Sequence, residues 1–235
     1  MDTPQFSIIV AAFNEQGTIE RCVRRVLEVY PTECEVLVVD GGSDRTGEIV
    51  MAMENQLPQV RYIRNENDRG KGHAIRVGIE QARAPIHAQI DADIQFLPEE
   101  LPLIIDPIRE GKADVTLGSR FAGESKRLPG STPFIRTMGN KTVSGYASLL
   151  FWHRMTDVQA GMKAWTADAI RKIDFKSDNY SYEVEIPTKA LKRGCRVIDV
   201  PITTDARQDG ETNVNAFTAG VALFRDITLF RLGLK

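Results

Sequence analysis

The side chains best suited to chemistry in this chain are Asp91, Asp93 and Gln95, which carry oxygen atoms at alternate positions. They follow a predicted strand at 87–90, and along an extended segment alternate residues point to the same side. Oxygen ligands without cysteine or clustered histidine suit Mg²⁺ or Mn²⁺, which complete their shell with substrate phosphates. Two such carboxylates also repel each other unless a cation joins them. The alternative is that Asp93 begins a turn before Pro98 and that Gln95 is an ordinary surface residue.

Polar residues also end two other predicted strands. Asn14 and Glu15 follow the apolar run 6–12, and Asp40 follows the run 35–39. In an open α/β sheet, ligands bind in the crevice at the carboxyl ends of the strands. One aspartate at a strand end is often only a helix cap or a turn residue. Three polar strand ends on one rim favour a binding cleft.

Strands and helices alternate through the first half of the chain. Predicted strands lie at 6–12, 35–39, 60–63, 87–90 and 114–118, with helices after the first four, beginning near 19, 46, 70 and 98. This βαβ spacing predicts an α/β fold with a mostly parallel central sheet and helices on both faces.

The second half is less regular. We predict a loop at 122–133, helices at 136–152, 182–193 and 216–232, strands at 162–165 and 196–200, and a polar loop at 208–213. There is no internal repeat and no low-complexity linker, which predicts one domain over 1–235. The last helix combines apolar residues with Arg225, Arg231 and Lys235, as interfacial helices do. Packing against the core or a second subunit, as in a homodimer, is the alternative for this helix.

The composition is that of an ordinary soluble globular protein, with 42% hydrophobic residues, 26% charged residues and a net charge of −2. The sequence shows no concentrated basic face, so it does not predict nucleic-acid binding. Cys22, Cys34 and Cys195 form no CxxC pair, which favours buried thiols in a reducing compartment. Neither a secretory signal nor a bilayer-spanning stretch is visible, so we predict a cytoplasmic location, with peripheral membrane contact left open.

Together these motifs resemble the family 2 glycosyltransferases of the GT-A fold. Residues 8–15 (IIVAAFNE) are similar to the first strand of that family, 38–44 (VVDGGSD) to its base-binding turn, 67–78 to its glycine-rich helix start, and 91–93 to its DXD motif. The narrower resemblance is to the polyprenyl-phosphate hexosyltransferases, of which dolichol-phosphate mannosyltransferase is one. It rests on Gln95, 118–120 (GSR), 157–161 (DVQAG), Glu185 and 200–203 (VPIT) leading to Arg207 and 210–211.

The resemblance implies a role for each matching residue. It implies that 1–118 forms the half that binds the nucleotide sugar, 119–213 the acceptor half, and 214–235 a C-terminal amphipathic helix. The base and ribose pocket is expected to contain Ala11, Asn14, Glu15 and Asp40, with Asp91 close to the ribose and metal and Arg207 at the diphosphate. The expected metal ligands are Asp91, Asp93 and Gln95, and the residues expected to face the acceptor phosphate are Ser119, Arg120 and Arg136. Lys71 and Glu185 are expected to bind substrate, and the expected catalytic residues are Asp93, Arg120, Asp157 and Arg207. Arg120 and Arg136 could instead be solvated surface charges, and Glu15 a favourable charge at a helix N-terminus.

Three positions depart from the family pattern: Gly41 replaces a second Asp, Ala11 a common Pro, and Asn213 a Lys. Many relatives also carry a Glu-Asp pair as general base, where this chain reads Asp157-Val158-Gln159. A sugar hydroxyl needs such a base, whereas a phosphate acceptor is already an anion and needs cations to position it. The missing pair favours a phosphate acceptor. The resemblance then implies a metal-dependent transfer of a hexose, with inversion as the hypothesis, from a GDP-mannose or UDP-glucose type donor to a polyprenyl or dolichyl phosphate lipid.

Other classes of protein fit less well. A nicotinamide dehydrogenase needs GxGxxG after the first strand, and a P-loop enzyme needs Ser or Thr after Lys71. A sugar-phosphate nucleotidylyltransferase would carry a glycine-rich, arginine-bearing loop near its start, which this sequence lacks. Two alternatives stay open: a glycosyltransferase acting on a hydroxyl of a glycan or small molecule, and an inactive nucleotide-sugar binding module.

Overall fold

The structure, a computed structural model, describes residues 3–131, 133–206 and 216–235. Its strands are β1 (Phe6–Ala12), β2 (Cys34–Asp40), β3 (Val60–Arg64), β4 (Ile86–Asp91), β5 (Val115–Ser119), β6 (Lys126–Arg127), β7 (Lys163–Thr166), β8 (Val197–Pro201) and β9 (Thr203–Thr204). Its helices are α1 (Ile19–Val29), α2 (Thr46–Glu54), α3 (Lys71–Gln81), α4 (Leu101–Arg109), α5 (Phe134–Phe151), α6 (Ala167–Ile173), α7 (Tyr182–Lys192) and α8 (Ala216–Leu232).

Seven strands form one sheet in the order β3-β2-β1-β4-β7-β5-β8. All neighbours pair in parallel except β7, which runs antiparallel to both β4 and β5. The predicted α/β class with a mostly parallel sheet is therefore confirmed. Because β7 is antiparallel to β4, the first residues of β7 lie at the edge of the sheet where β4 ends.

Apolar residues of β1 pack to both sides of the sheet. Ile8 and Val10 join the core under α1 and α4, whereas Ile9 joins the core under α3, α5, α7 and α8. Successive side chains of a strand point to opposite faces, so a strand covered on both faces reads as one continuous apolar run. This explains why β1 and β2 are recognisable in the sequence.

Some local features differ from the predictions. The helix expected from Pro98 begins as a 3₁₀ turn, Pro98–Glu100, before α4. Helix α6 was not predicted; the Thr166 hydroxyl caps it by accepting a hydrogen bond of 3.0 Å from the Ala169 N–H. The predicted loop 122–133 contains β6, which pairs with β9. The predicted loop 208–213 lies outside the described residues.

Helix α8 has the bounds expected from its sequence, and one side of it packs on the protein. Leu223, Ile227 and Phe230 are buried in the core that also contains α5 and α7, while Val221 and Leu232 are exposed. This agrees with the core-packing alternative for the helix. Within the described residues, none of the helices is both long and apolar enough to cross a membrane.

Candidate active site

The ends of three neighbouring strands form the rim of a cleft. Ala11 pairs with Asp91 across β1 and β4, and Ala12 pairs with Asp40 across β1 and β2, so the carboxyl ends lie side by side. The cleft has a volume of about 550 Å³. Eight of the predicted site residues line it: Ala11, Glu15, Lys71, Asp91, Asp93, Gln95, Arg120 and Arg136.

The cleft also contains residues that were not assigned a role from the sequence. They include Asp68, Gln159, Gly161, Tyr180, Ser181 and Glu183. Most of them lie just before β7 or at the beginning of α7, which only the folded sheet brings next to β4. Gly161 lies so close to Asp91 that an added Cβ would be 2.1 Å from the carboxylate. A glycine is therefore required at this position if Asp91 keeps its place.

The segment from Asp91 to Gln95 is not extended, contrary to the prediction. The chain turns after β4, and Ile94 takes a left-handed backbone conformation with φ of 57°. Asp93 Oδ1 accepts a hydrogen bond of 3.1 Å from the Gln95 N–H, as in an Asx turn. The Gln95 amide donates to the Ser131 carbonyl at 2.8 Å. Thus Asp91, Asp93 and Gln95 reach one cleft through a turn rather than through strand alternation.

Asp91 is paired with a cation of the chain itself. The Lys71 ammonium lies 2.7 Å from Asp91 Oδ1. Burial alone would lower the pKa of Lys71, but Asp91 and Glu183 outweigh it and raise the pKa well above its usual value. The repulsion between Asp91 and Asp93 is thereby relieved in part without a metal ion.

Lys71 belongs to a row of charges that runs from the cleft into the buried interior. Glu183 accepts from the Lys71 ammonium at 3.0 Å through one oxygen and from the Lys163 ammonium at 3.1 Å through the other. Burial would raise the pKa of Glu183, but the two lysines outweigh it and lower the pKa to about 2. Burial lowers the pKa of Lys163, and Glu183 opposes this change. At neutral pH the Glu183 carboxylate is therefore a poor proton acceptor.

Asp93 and Gln95 fit a divalent cation whose coordination is completed by oxygen atoms of a bound substrate. Among the described residues no group of three or more His, Cys, Asp or Glu side chains could hold a metal ion. Asp93 and Gln95 still bring a carboxylate and an amide oxygen into the cleft. One or two carboxylates together with substrate phosphates are a usual environment for Mg²⁺ and a suitable one for Mn²⁺.

Arg120 is buried, contrary to the alternative that made it a surface charge. Its guanidinium binds Asp157 through two hydrogen bonds, from Nε to Oδ2 at 2.6 Å and from Nη2 to Oδ1 at 2.8 Å. Burial lowers the pKa of Arg120, but Asp157 outweighs it and raises the pKa. Asp157 is fully buried and does not line the cleft. Because Asp157 is buried away from the cleft, a substrate in the cleft has no direct access to its carboxylate.

Three other predicted residues support the rim from behind. The side-chain oxygen Oδ1 of Asn14 accepts the Ser43 N–H at 2.9 Å and so holds the turn after β2. Asp40 is buried and accepts the Gly42 N–H at 2.8 Å and the Tyr62 hydroxyl at 3.2 Å. Ser119 Oγ is 2.7 Å from the Thr156 hydroxyl. None of the three lines the cleft, so any contribution to ligand binding would be through backbone placement.

The structure places Glu185 away from the cleft. Its carboxylate accepts the N–H groups of Lys176 and Ser177, each at 2.9 Å, and pairs with Lys189. The residue of α7 that reaches the cleft is Glu183, two positions earlier. Helical periodicity does not say which of two nearby glutamates faces a cleft. Arg207, with 210–211 and Asn213, lies outside the described residues.

A mostly parallel sheet with a cleft at its carboxyl edge is the usual ligand-binding arrangement of open α/β proteins. The comparisons with known proteins make this class specific. Residues 7–166 match the family described as Glycosyl transferase family 2. The chain is 31% identical over 221 residues to the low-salt glycan biosynthesis hexosyltransferase Agl6 of Haloferax volcanii, covering 92% of this chain and 51% of that protein.

Two further similarities cover most of both chains. One is to an undecaprenyl-phosphate mannosyltransferase of Micrococcus luteus, 30% identical over 238 residues, covering 96% of this chain and 93% of that protein. The other is to the crystal structure of glucosyl-3-phosphoglycerate synthase from Mycobacterium tuberculosis with Mn²⁺, UDP and phosphoglyceric acid. That structure superposes with a TM-score of 0.74 at 17% identity, covering 99% of this chain and 78% of that one. This chain belongs to glycosyltransferase family 2, has the GT-A fold, and is a glycosyltransferase.

Proposed function

We propose that this chain transfers a hexose from a nucleoside-diphosphate sugar to a polyprenyl phosphate, with inversion, in the presence of Mg²⁺ or Mn²⁺. The observation that carries the proposal is that the carboxylates near the acceptor side are already paired with cations of the chain. Asp157 is buried and bound through both oxygens to Arg120, and Glu183 is paired with two lysines. A hydroxyl acceptor would need a carboxylate able to take its proton, whereas an anionic phosphate would not.

Cations beside the cleft support an anionic acceptor. Three of them surround the Phe121 ring: Arg120 at 5.5 Å, Arg127 at 5.7 Å and Lys141 at 5.3 Å from its centroid. Arg136 is exposed and lines the cleft. Arginine suits phosphate because its planar guanidinium can donate two hydrogen bonds at once. We therefore assign the acceptor phosphate to Arg136, with Arg120 fixed by Asp157 at the border of the site.

The donor is assigned to the opposite side of the cleft. Ala11 and Glu15 would lie against the nucleoside, on a rim held by Asn14 and Asp40. Asp93 and Gln95 would hold the metal ion, which when bound stabilises the negative charge of the leaving diphosphate. An acceptor phosphate oxygen then bonds to the anomeric carbon as the bond to the diphosphate breaks, and no proton has to move. The name of the Micrococcus relative and the Mn²⁺ and UDP of the structural neighbour support these assignments.

An exposed apolar surface beside Arg136 supports a lipid acceptor. At the start of α5, Phe134 and Ile135 are 77% and 79% exposed, and Met138 is half exposed. Lys126 and Arg127 are exposed nearby in sequence, on β6. Apolar side chains next to basic ones are typical of segments that rest on an anionic membrane surface. We therefore assign peripheral membrane contact to the start of α5 rather than to α8.

A transfer assay tests the proposal. The chain is incubated with GDP-mannose or UDP-glucose, Mn²⁺ or Mg²⁺, and undecaprenyl phosphate in detergent, and the product is identified by mass spectrometry and NMR. We expect a hexosyl phosphate lipid with inverted anomeric configuration, formed with one of these donors and absent in EDTA. Transfer only to a glycan hydroxyl, or a product with retained configuration, would contradict the proposal. Nucleotide binding without turnover would instead indicate a binding module.

A further inference from the structure

Four charged side chains form a continuous row from the floor of the cleft into the protein. Asp91, at the end of β4, pairs with Lys71 at 2.7 Å. Lys71 pairs with Glu183 at 3.0 Å, and Glu183 pairs with Lys163 at 3.1 Å. The row thus alternates in sign, and its last member, Lys163, is 0% exposed.

The fold brings these residues together from four separate elements. Lys71 is the first residue of α3, Glu183 lies in the first turn of α7, and Lys163 is the first residue of β7. Residues 177–179 join the two helix starts: the His73 N–H donates to the Asp178 carbonyl at 3.0 Å. A Cβ at Gly72 would lie 2.3 Å from the Ser177 carbonyl oxygen, so the contact requires glycine. The N-termini of α3 and α7 therefore lie close together under the cleft.

Burying such a row of charges in a core is energetically unfavourable. Removing charges from water costs several kcal/mol for each ion, and well-packed apolar residues often give equal or better stability. Lys71 also stands at a helix N-terminus, where the helix dipole disfavours a cation. Glu183 offsets both costs, because it neutralises Lys71 and is itself favoured in the first turn of α7. What the row achieves beyond neutrality is a fixed position for the Lys71 ammonium, and through it for Asp91.

We infer that Glu183 and Lys163 are positioning residues for the donor nucleotide, which hold Lys71 against Asp91 so that this carboxylate is oriented before the donor binds. Neither residue has to touch the nucleotide. Lys163 fixes Glu183, Glu183 fixes Lys71, and Lys71 with the backbone of Gly161 fixes Asp91. The inference rests on the proposed function only in requiring that the cleft bind a nucleoside diphosphate.

The test separates positioning from stability with a paired substitution. Glu183→Gln leaves Lys163 buried without a carboxylate, and Lys163→Met leaves Glu183 with one lysine instead of two. The double variant K163M/E183Q removes the buried pair as a unit, so its free energy of unfolding should recover towards the wild-type value. Glu185→Gln is the matched control, because it breaks a buried ion pair two residues further along the same helix.

The measured quantities are the free energy of unfolding in urea and the Kd for GDP and UDP with Mn²⁺ by calorimetry. The Kd is measured at a temperature at which urea unfolding shows each variant to be folded, because a reversibly unfolded fraction would weaken the apparent Kd. We expect E183Q and the double variant to bind nucleotide about tenfold more weakly than wild type. E185Q should lose stability and keep the wild-type Kd.

Wild-type nucleotide affinity in K163M/E183Q would overturn the inference and leave the row a purely structural feature. An equal loss of affinity in E185Q would overturn it as well, since the effect would then follow stability alone. A wild-type chain that binds nucleotide but glycosylates only hydroxyl acceptors would contradict the proposed function and leave this inference standing. A wild-type chain that binds neither GDP nor UDP would contradict both.

Discussion

Arg120 and Arg136 both line the cleft, but their electrostatic settings differ. Arg120 is buried and bound twice by Asp157, whereas Arg136 is exposed. Removing one partner of a buried ion pair leaves an uncompensated charge in the core. Loss of activity in a variant of Arg120 would therefore not by itself identify a substrate contact.

We predict that Arg120→Ala lowers the free energy of unfolding by about 3–5 kcal/mol, because Asp157 is left buried without a partner. Arg136→Ala should change stability by less than about 1 kcal/mol and raise the KM for the phosphate acceptor. Urea unfolding and acceptor kinetics measure the two effects. Arg154→Ala is the control, since Arg154 is exposed and does not line the cleft. An Arg120→Ala chain as stable as wild type would contradict the assigned role of the ion pair.

Glu183 gives a prediction for acid stability. Its pKa is lowered from 4.5 to about 2 in the folded chain. A carboxylate with a lowered folded pKa contributes stability above its unfolded pKa, and that stability is lost as the pH falls towards the folded pKa. We expect the contribution of Glu183 to the free energy of unfolding to fall by on the order of 3 kcal/mol between pH 4.5 and pH 2. Measured by urea unfolding across this range, the free energy of unfolding should depend less on pH in K163M/E183Q than in wild type. Identical pH dependence in the two chains would contradict the role assigned to Glu183.

At the scale of the elements, most of the strands and helices that could be predicted were predicted from their runs or patterns of apolar residues. Strand β1 is predicted with its observed bounds because both of its faces are buried, and α8 is predicted with its bounds as well. The direction of β7 could not be predicted, because it depends on pairing with β4 and β5 far away in sequence. For the same reason, the position of Lys163 beside Glu183 was not predicted. A lysine between Met162 and Ala164 in an apolar segment does, however, indicate a buried partner.

The turn after β4 shows a second limit of sequence reasoning. Ile94 is β-branched and disfavours a positive φ, yet it has a φ of 57° and is fully buried. Burial of its side chain outweighs a local cost of about 1–3 kcal/mol, which no local rule would predict. Asp91, Asp93 and Gln95 do line the cleft, but through a turn that the sequence did not predict.

Helix α5 has apolar residues exposed at both of its ends, which allows a matched comparison. We predict that Phe134→Glu with Ile135→Glu weakens binding to phosphatidylglycerol vesicles at least tenfold, because burying each side chain contributes about 1.5–3 kcal/mol. Leu149→Glu with Trp152→Glu, which changes exposed residues at the other end, should leave binding unchanged. Co-sedimentation measures both. Equal losses in the two pairs, or a loss only in the second, would contradict the placement of the membrane contact.

For the whole molecule, metal binding and donor binding should be coupled. The described residues offer too few ligands to hold a divalent ion without substrate oxygens. We therefore predict that EDTA leaves the Tm of the ligand-free chain unchanged but removes the stabilisation by nucleotide. With Mn²⁺ and the nucleoside diphosphate at 100 times its Kd, that stabilisation is about 2.7 kcal/mol. A Tm that falls in EDTA without nucleotide would contradict this coupling.

The central claim is that the acceptor is a phosphate and that no carboxylate has to remove its proton. The most direct measurement compares kcat/KM for undecaprenyl phosphate and for undecaprenol, the same lipid with a hydroxyl in place of the phosphate. We predict transfer to the phosphate only, with kcat/KM for the alcohol lower by at least about 10²-fold, as expected where no general base acts. Comparable transfer to the two lipids would contradict the claim.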